Sequence, residues 1–171
     1  DLMIDWPKRL AREGPALLKL LDQPGPVLDV ACGTGRHLRW LKDAGVNMVG
    51  SDASGEMLAE ARINAPGSPL VRWSMSSPIP AELGGRAPFA ALLCLGNSFP
   101  HVIEQSDVQR TLANFLVLLA PAARLIIGVK ALAVLRDAGR PFLPLTRRRD
   151  QCGNDVLFVR FYEFHPGPPA S

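Results

Sequence analysis

Cysteine is scarce in this chain: three among 171 residues, Cys32, Cys94 and Cys152, at spacings of 62 and 58 residues and with no C-x-x-C pair. An odd, widely spaced set excludes a zinc ribbon or dithiol redox pair and fits a reducing compartment, so the expected location is the cytoplasm. No H-x-E is followed by C-x-x-C and no metal-ligand cluster is present, so no metal is expected and a zinc enzyme is disfavoured. The absence of a Ser-His-Asp order disfavours a triad hydrolase in the same way. No apolar run approaches the roughly 18 uncharged residues of a spanning helix, and no N-terminal stretch has the basic flank, apolar core and small-residue cleavage site of a secretion signal. The chain begins at Asp1 without an initiator methionine, which leaves a removed presequence open. Net charge is also small, +3, with residues 1–119 carrying 11 basic against 12 acidic side chains and residues 120–171 carrying 8 against 4. That excess suits an acidic small molecule and falls short of the stripe of phosphate contacts that a nucleic-acid partner requires.

What is present argues for one globular domain spanning 1–171: 47% hydrophobic and 20% charged residues in 18.5 kDa suffice for a core. The spacing of Leu10, Leu17, Leu18 and Leu21 predicts a helix over Asp5–Leu21, broken at Gly14-Pro15 and stopped by Pro24-Gly25-Pro26. Val27–Val30 reads as a strand running into the turn Ala31-Cys32-Gly33-Thr34-Gly35. A helix over Arg36–Ala44 follows, with Gly45 as its C-cap. The unit repeats as a strand over Val46–Ser51 with Asp52 at its end, then a helix opened by Ser54 with Met57, Leu58 and Ala61 on one face. Leu70–Trp73 and the wholly apolar Phe89–Leu95 make two more strands. A helix over Ser106–Leu119 carries a Ser106-x-x-Gln109 capping box and a Val108, Leu112, Phe115, Leu119 stripe, and Arg124–Val129 is a fifth strand. Alternating strands and helices of these lengths give the fold class: α/β, a doubly wound, mostly parallel sheet. Pro141–Arg149 and Val156–Phe164 predict an antiparallel hairpin at the sheet edge, joined through the turn-rich residues 150–154, and order is expected to end at His165-Pro166.

In such a sheet, ligands bind outside the carboxyl ends of the strands, which is where residues 29–35 lie. The pattern D-x-A-C-G-T-G differs from the dinucleotide G-x-G-x-x-G, and its leading carboxylate, Asp29, suits an ammonium or bound water rather than a pyrophosphate. Asp52 follows Gly35 by 17 residues, where a carboxylate can accept both hydroxyls of a ribose. Taken alone, the two-glycine turn is as readily structural, and Asp52 can serve simply as a helix-start charge.

Val27–Leu38, VLDVACGTGRHL, resembles the first motif of class I S-adenosylmethionine-dependent methyltransferases, and Ser51–Leu58, SDASGEML, resembles their second. Cys94–His101, CLGNSFPH, is similar to the segment after the fourth strand in the glycine and sarcosine N-methyltransferase branch. The resemblance runs from about Arg9 to Lys130, with the hairpin only loosely similar, and implies a Rossmann-like fold; the chain then divides into a capping helix over 1–24, a cofactor-binding core over 25–130 and the hairpin over 141–165. It implies S-adenosylmethionine as cofactor, with Asp29, Ala31, Cys32, Gly33 and Gly35 at its methionine end and Asp52 and Ala53 at the ribose. Met57 would then pack on the adenine and Ser74 read its amino group, Met75 and Leu95 would also bind the cofactor, and Arg9 would meet the carboxylate. Asn97, His101 and Lys130 would stand near the transferred methyl and the acceptor. Bland roles exist for several of these: a loop-capping Asn97, a solvated His101, a surface Arg9.

Three positions depart from that family. Ser74 stands where an aspartate usually reads the adenine amino group, a weaker acceptor. Pro121-Ala122-Ala123 replaces a P-G-G turn, so a changed turn shape is expected. Lys130 replaces an arginine and loses its bidentate fork. The implied activity is methyl transfer to a small-molecule acceptor, an amine nitrogen first. An RNA or protein methyltransferase and a non-catalytic cofactor-binding regulatory domain remain as rivals. The missing Asn/Asp-Pro-Pro-Tyr motif counts against a base amino group as acceptor, and Arg147-Arg148-Arg149 reads as a solvated edge strand before it reads as an RNA site. Acceptor identity and oligomeric state are not legible.

Overall fold

The structure, a computed structural model, describes residues 2–139, 142–150 and 152–164. The chain forms two compact units, one running from Trp6 to Val129 and the other made of the residues before Trp6 together with those from Lys130 onward. The larger unit contains, in chain order, α1 (Trp6–Leu20), β1 (Val27–Val30), α2 (Arg36–Asp43), β2 (Met48–Asp52), α3 (Gly55–Asn64), β3 (Leu70–Arg72), α4 (Ala81–Gly84), β4 (Phe89–Cys94), a 3-10 turn (Phe99–His101), α5 (Gln105–Leu118) and β5 (Leu119–Ile127). The five strands are all parallel in the order β3-β2-β1-β4-β5, the expected doubly wound sheet.

Side-chain alternation splits the core into two layers. Leu28, Val30, Val49, Val71, Leu92 and Cys94 pack with Leu83 of α4 and Phe115 and Leu118 of α5. Val27, Met48, Ala91 and Leu93 point to the other face, where Leu17 of α1 and Leu38 and Leu41 of α2 cover them. β1 is buried at all four positions, as a central parallel strand must be.

Several boundaries differ from the sequence expectation, each for a local reason. α1 is unbroken, and Pro15 sits inside it. Gly14 is there for space: a Cβ would lie 2.3–2.7 Å from the Trp40 ring. β2 begins at Met48 because Val46 is spent on closing α2, its N–H donating to Leu41 O at 3.0 Å while that of Gly45 donates to Lys42 O at 2.9 Å. α5 starts at Gln105 with Glu104 as N-cap, so the Ser106-x-x-Gln109 box does not form. Its buried face is Thr111, Phe115 and Leu118, and Leu112 is largely exposed.

β5 reaches back to Leu119, which pairs with Phe89, before Arg124 pairs with Ala91. Five residues of β5 thus span two of β4, and Pro121-Ala122-Ala123 is the resulting bulge. Contrary to the expected change of shape, Ala122 keeps a left-handed backbone, φ +61°.

The smaller unit holds α6 (Leu132–Asp137) and the antiparallel strands β6 (Thr146–Arg149) and β7 (Asp155–Phe158). The hairpin expected at the edge of the main sheet is instead a separate two-stranded sheet, extended by a Phe142–Phe161 bridge. β5 has no hydrogen-bonded neighbour beyond β4 among the described residues, and β6 pairs only with β7. Pro141, Gln151 and His165-Pro166 lie outside the described residues.

Candidate cofactor and acceptor site

Strand order reverses between β1 and β4, so the crevice at their carboxyl ends is the topological switch point where open α/β sheets bind ligands. Residues 31–35 leave β1 there, 52–54 leave β2 and 95–98 leave β4. The first turn is a run of left-handed residues, with Ala31, Gly33 and Gly35 at φ 54°, 56° and 76°. Nothing lies within 4 Å of where a Gly33 Cβ would be, so its backbone faces open space. Gly35 fits close against α3, where a Cβ would sit 3.0 Å from that of Ala61. The turn is tied from both sides: Cys32 N–H donates to Ser51 O at 2.9 Å, and Asn64 Nδ2 donates to Thr34 O at 2.8 Å.

Asp52 completes the frame. Its Oδ2 accepts Gly33 N–H at 2.8 Å and its Oδ1 accepts Ser54 N–H at 2.9 Å. Asp29, at 2% exposure, is the contrasting carboxylate: its Oδ2 is buried without a hydrogen-bond partner. Burial, then the nearby Asp52 charge, pushes the Asp29 carboxyl up to about 7. Burial also raises the Cys32 thiol, reinforced by both aspartates, and holds it as an inert packing group.

A second group of predicted residues meets around a cavity of about 390 Å³ lined by Ser74, Met75, Ser98, His101, Glu104 and Asp107 among others. Its floor is anchored, since Asn114 Nδ2 donates to Met75 O at 2.9 Å and Ser77 O at 2.8 Å. On the β4 side, Asn97 adopts a left-handed φ of 71°, and its N–H donates to Gly128 O at 3.1 Å. Leu95 joins the core layer covered by α1 and α2, and its carbonyl accepts Ser98 Oγ–H at 3.0 Å. Met57 is 44% exposed, off the buried face of α3 that Leu58 and Ala61 form, and Ala53 O accepts Arg72 Nε–H. Lys130 is exposed and opens the smaller unit.

Arg9 does not stand alone. Its Nε–H donates to Glu13 Oε2 at 3.0 Å, the same oxygen that His37 Nε2 meets at 3.2 Å, and its guanidinium lies over Trp6 at 5.3 Å. Trp6 in turn packs edge-on against His37, centroids 5.4 Å apart. Burial lowers the His37 pKa, against the opposing effect of its hydrogen bond with Glu13. Burial opposes ionisation of Glu13, but hydrogen bonds from Arg9, Arg12 and His37 outweigh it and hold its carboxyl below the usual range. Sequence reasoning named Arg9 and missed Glu13 and His37. The readable signal was the i,i+4 spacing of Arg9 and Glu13, whereas the α1–α2 contact needs the fold.

A parallel sheet of this order, with a left-handed glycine turn after β1 and a carboxylate at the end of β2, defines the Rossmann-like methyltransferase fold. The amino pentose methyltransferase of Micromonospora echinaspora, solved with SAM bound, superposes with a TM-score of 0.69 at 22% identity, covering 91% of this chain and 63% of that one. Residues 27–122 match the family model described as a methyltransferase domain, and the chain belongs to that family. Among relatives, the glycine/sarcosine N-methyltransferase of Halorhodospira halochloris is 34% identical over 149 residues, 81% of this chain and 53% of its own length. A dTDP-3-amino-3,6-dideoxy-alpha-D-glucopyranose N,N-dimethyltransferase from Streptomyces fradiae is 33% identical over 120 residues, 68% of this chain and 45% of its own. The chain spans about half the length of these curated relatives.

Proposed function

We propose that the chain is an S-adenosylmethionine-dependent methyltransferase that methylates an amine nitrogen of a small molecule. The observation that carries this reading is the buried, unpartnered Asp29 Oδ2 at the switch point, beside a backbone turn whose Gly33 faces open space. A buried carboxylate without a partner is costly, and an α-ammonium is the group that would satisfy it. A pyrophosphate offers no donor to that oxygen, which argues against NAD. The residues therefore fit the cofactor: Asp29 and the 31–35 backbone at its amino-acid end, Asp52 at the ribose, Met57, Ser74 and Met75 around the adenine.

When bound, S-adenosylmethionine supplies a methyl group already activated on a sulfonium. The protein's work is then to align the acceptor behind that methyl and to keep water out, and a neutral amine needs no dedicated base. In this reading Asn97 and His101, which follow β4, orient the acceptor. The relatives that act on glycine, sarcosine and an amino sugar support an amine acceptor. RNA is a poorer candidate, because Arg147 and Arg149 pair with Asp155, and Arg148 lies 3.9 Å from Asp5. The test is S-adenosylhomocysteine release with a panel of glycine, sarcosine, amino sugars and bulk RNA. Release with small amines is expected; release with RNA alone overturns the acceptor class, and tight cofactor binding with no release at all favours the regulatory-domain rival.

A further inference from the structure

We propose that cofactor binding is proton-linked through Asp29: below neutral pH the free protein holds a neutral carboxyl there, and binding of the cofactor's α-ammonium expels its proton to solvent. This rests on the cofactor reading above and adds to it a regulation of the same site by pH.

The geometry carries the argument. Asp29 lies on the central strand between β2 and β4, its Cα paired with Gly50 on one side and Leu93 on the other, at 2% exposure. Its Oδ2 meets no donor. The titratable groups acting with it offer no compensation: Asp52 at the end of β2 adds a second negative charge, and the thiols of Cys32 on the turn and Cys94 on β4 are neutral, both raised by burial. Asp52 differs because two backbone N–H groups stabilise its charge. A carboxylate buried beside another, with no cation, takes up a proton instead of remaining charged. The level of about 7 for Asp29 agrees with this.

An incoming ammonium reverses the balance. It supplies the missing donor and a compensating charge, so the bound state favours the carboxylate. The neutral Asp29 carboxyl and the free ammonium become a carboxylate–ammonium pair, and the one proton lost from the carboxyl oxygen passes to the buffer. The adenosine end of the ligand lies outside this exchange. Release should therefore increase as pH falls from about 8 to 6, towards one proton per ligand.

The experiment is calorimetry of S-adenosylhomocysteine binding in buffers of different ionisation enthalpy at pH 6, 7 and 8. Proton release should appear at pH 6 and 7, with the dissociation constant rising about fivefold between pH 7 and 6. 5′-Methylthioadenosine, which lacks the amino-acid moiety, should bind without proton release. Asp29→Asn should abolish the release and flatten the pH dependence; if that variant does not fold, carboxyl-carbon NMR of the wild-type protein should show one aspartate titrating near neutrality that shifts to the ionised position on adding ligand. Binding with identical enthalpy in all buffers at pH 6 overturns the proton linkage and leaves the cofactor reading intact. No binding of S-adenosylhomocysteine overturns both.

Discussion

Asp52 holds two backbone N–H groups that would otherwise lose their partners, one on the glycine turn and one at the start of α3. Asp52→Ala is therefore expected to act twice. It should weaken S-adenosylhomocysteine binding by about 1.5–3 kcal/mol, the scale of lost hydrogen bonds to a charged acceptor, and lower Tm by several degrees without unfolding the protein. Unchanged affinity in calorimetry would reduce Asp52 to a scaffold for the turn. Ser74 is the opposite case, a hydroxyl lining the cavity where the resemblance implies an aspartate. Ser74→Asp should tighten binding by about 1 kcal/mol, since a carboxylate accepts an amino N–H more strongly. Asp29 shapes stability as well as binding. Its folded-state pKa, about 7, lies above the unfolded value of 3.8, so the unfolded chain binds fewer protons between these values and stability falls as pH rises from about 4 to 7. Asp29→Asn should thus raise the Tm of the ligand-free protein at pH 8 and much less at pH 5.

At the scale of elements, α1 is held by a contact that only glycine permits. Gly14→Ala would drive a methyl into the Trp40 ring and should cost about 1–3 kcal/mol in urea unfolding, with Trp40→Leu restoring part of the loss in the double variant. The bulge in β5 offers the reverse: Ala122 at φ +61° is exposed and strained, so Ala122→Gly should stabilise by about 1 kcal/mol. Elements were legible where period and punctuation agreed, as in β1, the turn and α2, or the uninterrupted apolar run of β4. They were misread where one residue serves two purposes. Gly14-Pro15 looks like a break because the Trp40 ring that requires the glycine is 26 residues away. Pro121-Ala122-Ala123 looks like a turn between elements, yet pairing with β4 continues on both sides of it. The Asp29 and Asp52 positions were readable from their places near the carboxyl ends of two strands. The sharing of one Glu13 oxygen by Arg9 and His37 was not, because it joins α1 to α2 through the tertiary fold.

For the molecule as a whole, ligand and pH should act together. Saturating S-adenosylhomocysteine at about 100 times its Kd should add about 2.7 kcal/mol. Because binding satisfies Asp29, the gain in Tm at a fixed ligand concentration should be larger at pH 8 than at pH 6, which differential scanning fluorimetry can follow. A gain that is constant across this range would separate stability from the buried carboxyl.

Arg124, on β5, donates to Leu20 O at 2.6 Å and pairs with Asp22, across 104 and 102 residues of sequence. During synthesis α1 leaves the ribosome before β5, so this clasp on its C-terminal end cannot close until β5 has emerged. The helix that carries Arg9 and Glu13 is thus secured last on this side, after the glycine turn and both aspartates have been translated. A nascent chain arrested before Arg124 should expose the end of α1 to protease, and one arrested far enough beyond it to free β5 from the exit tunnel should protect it.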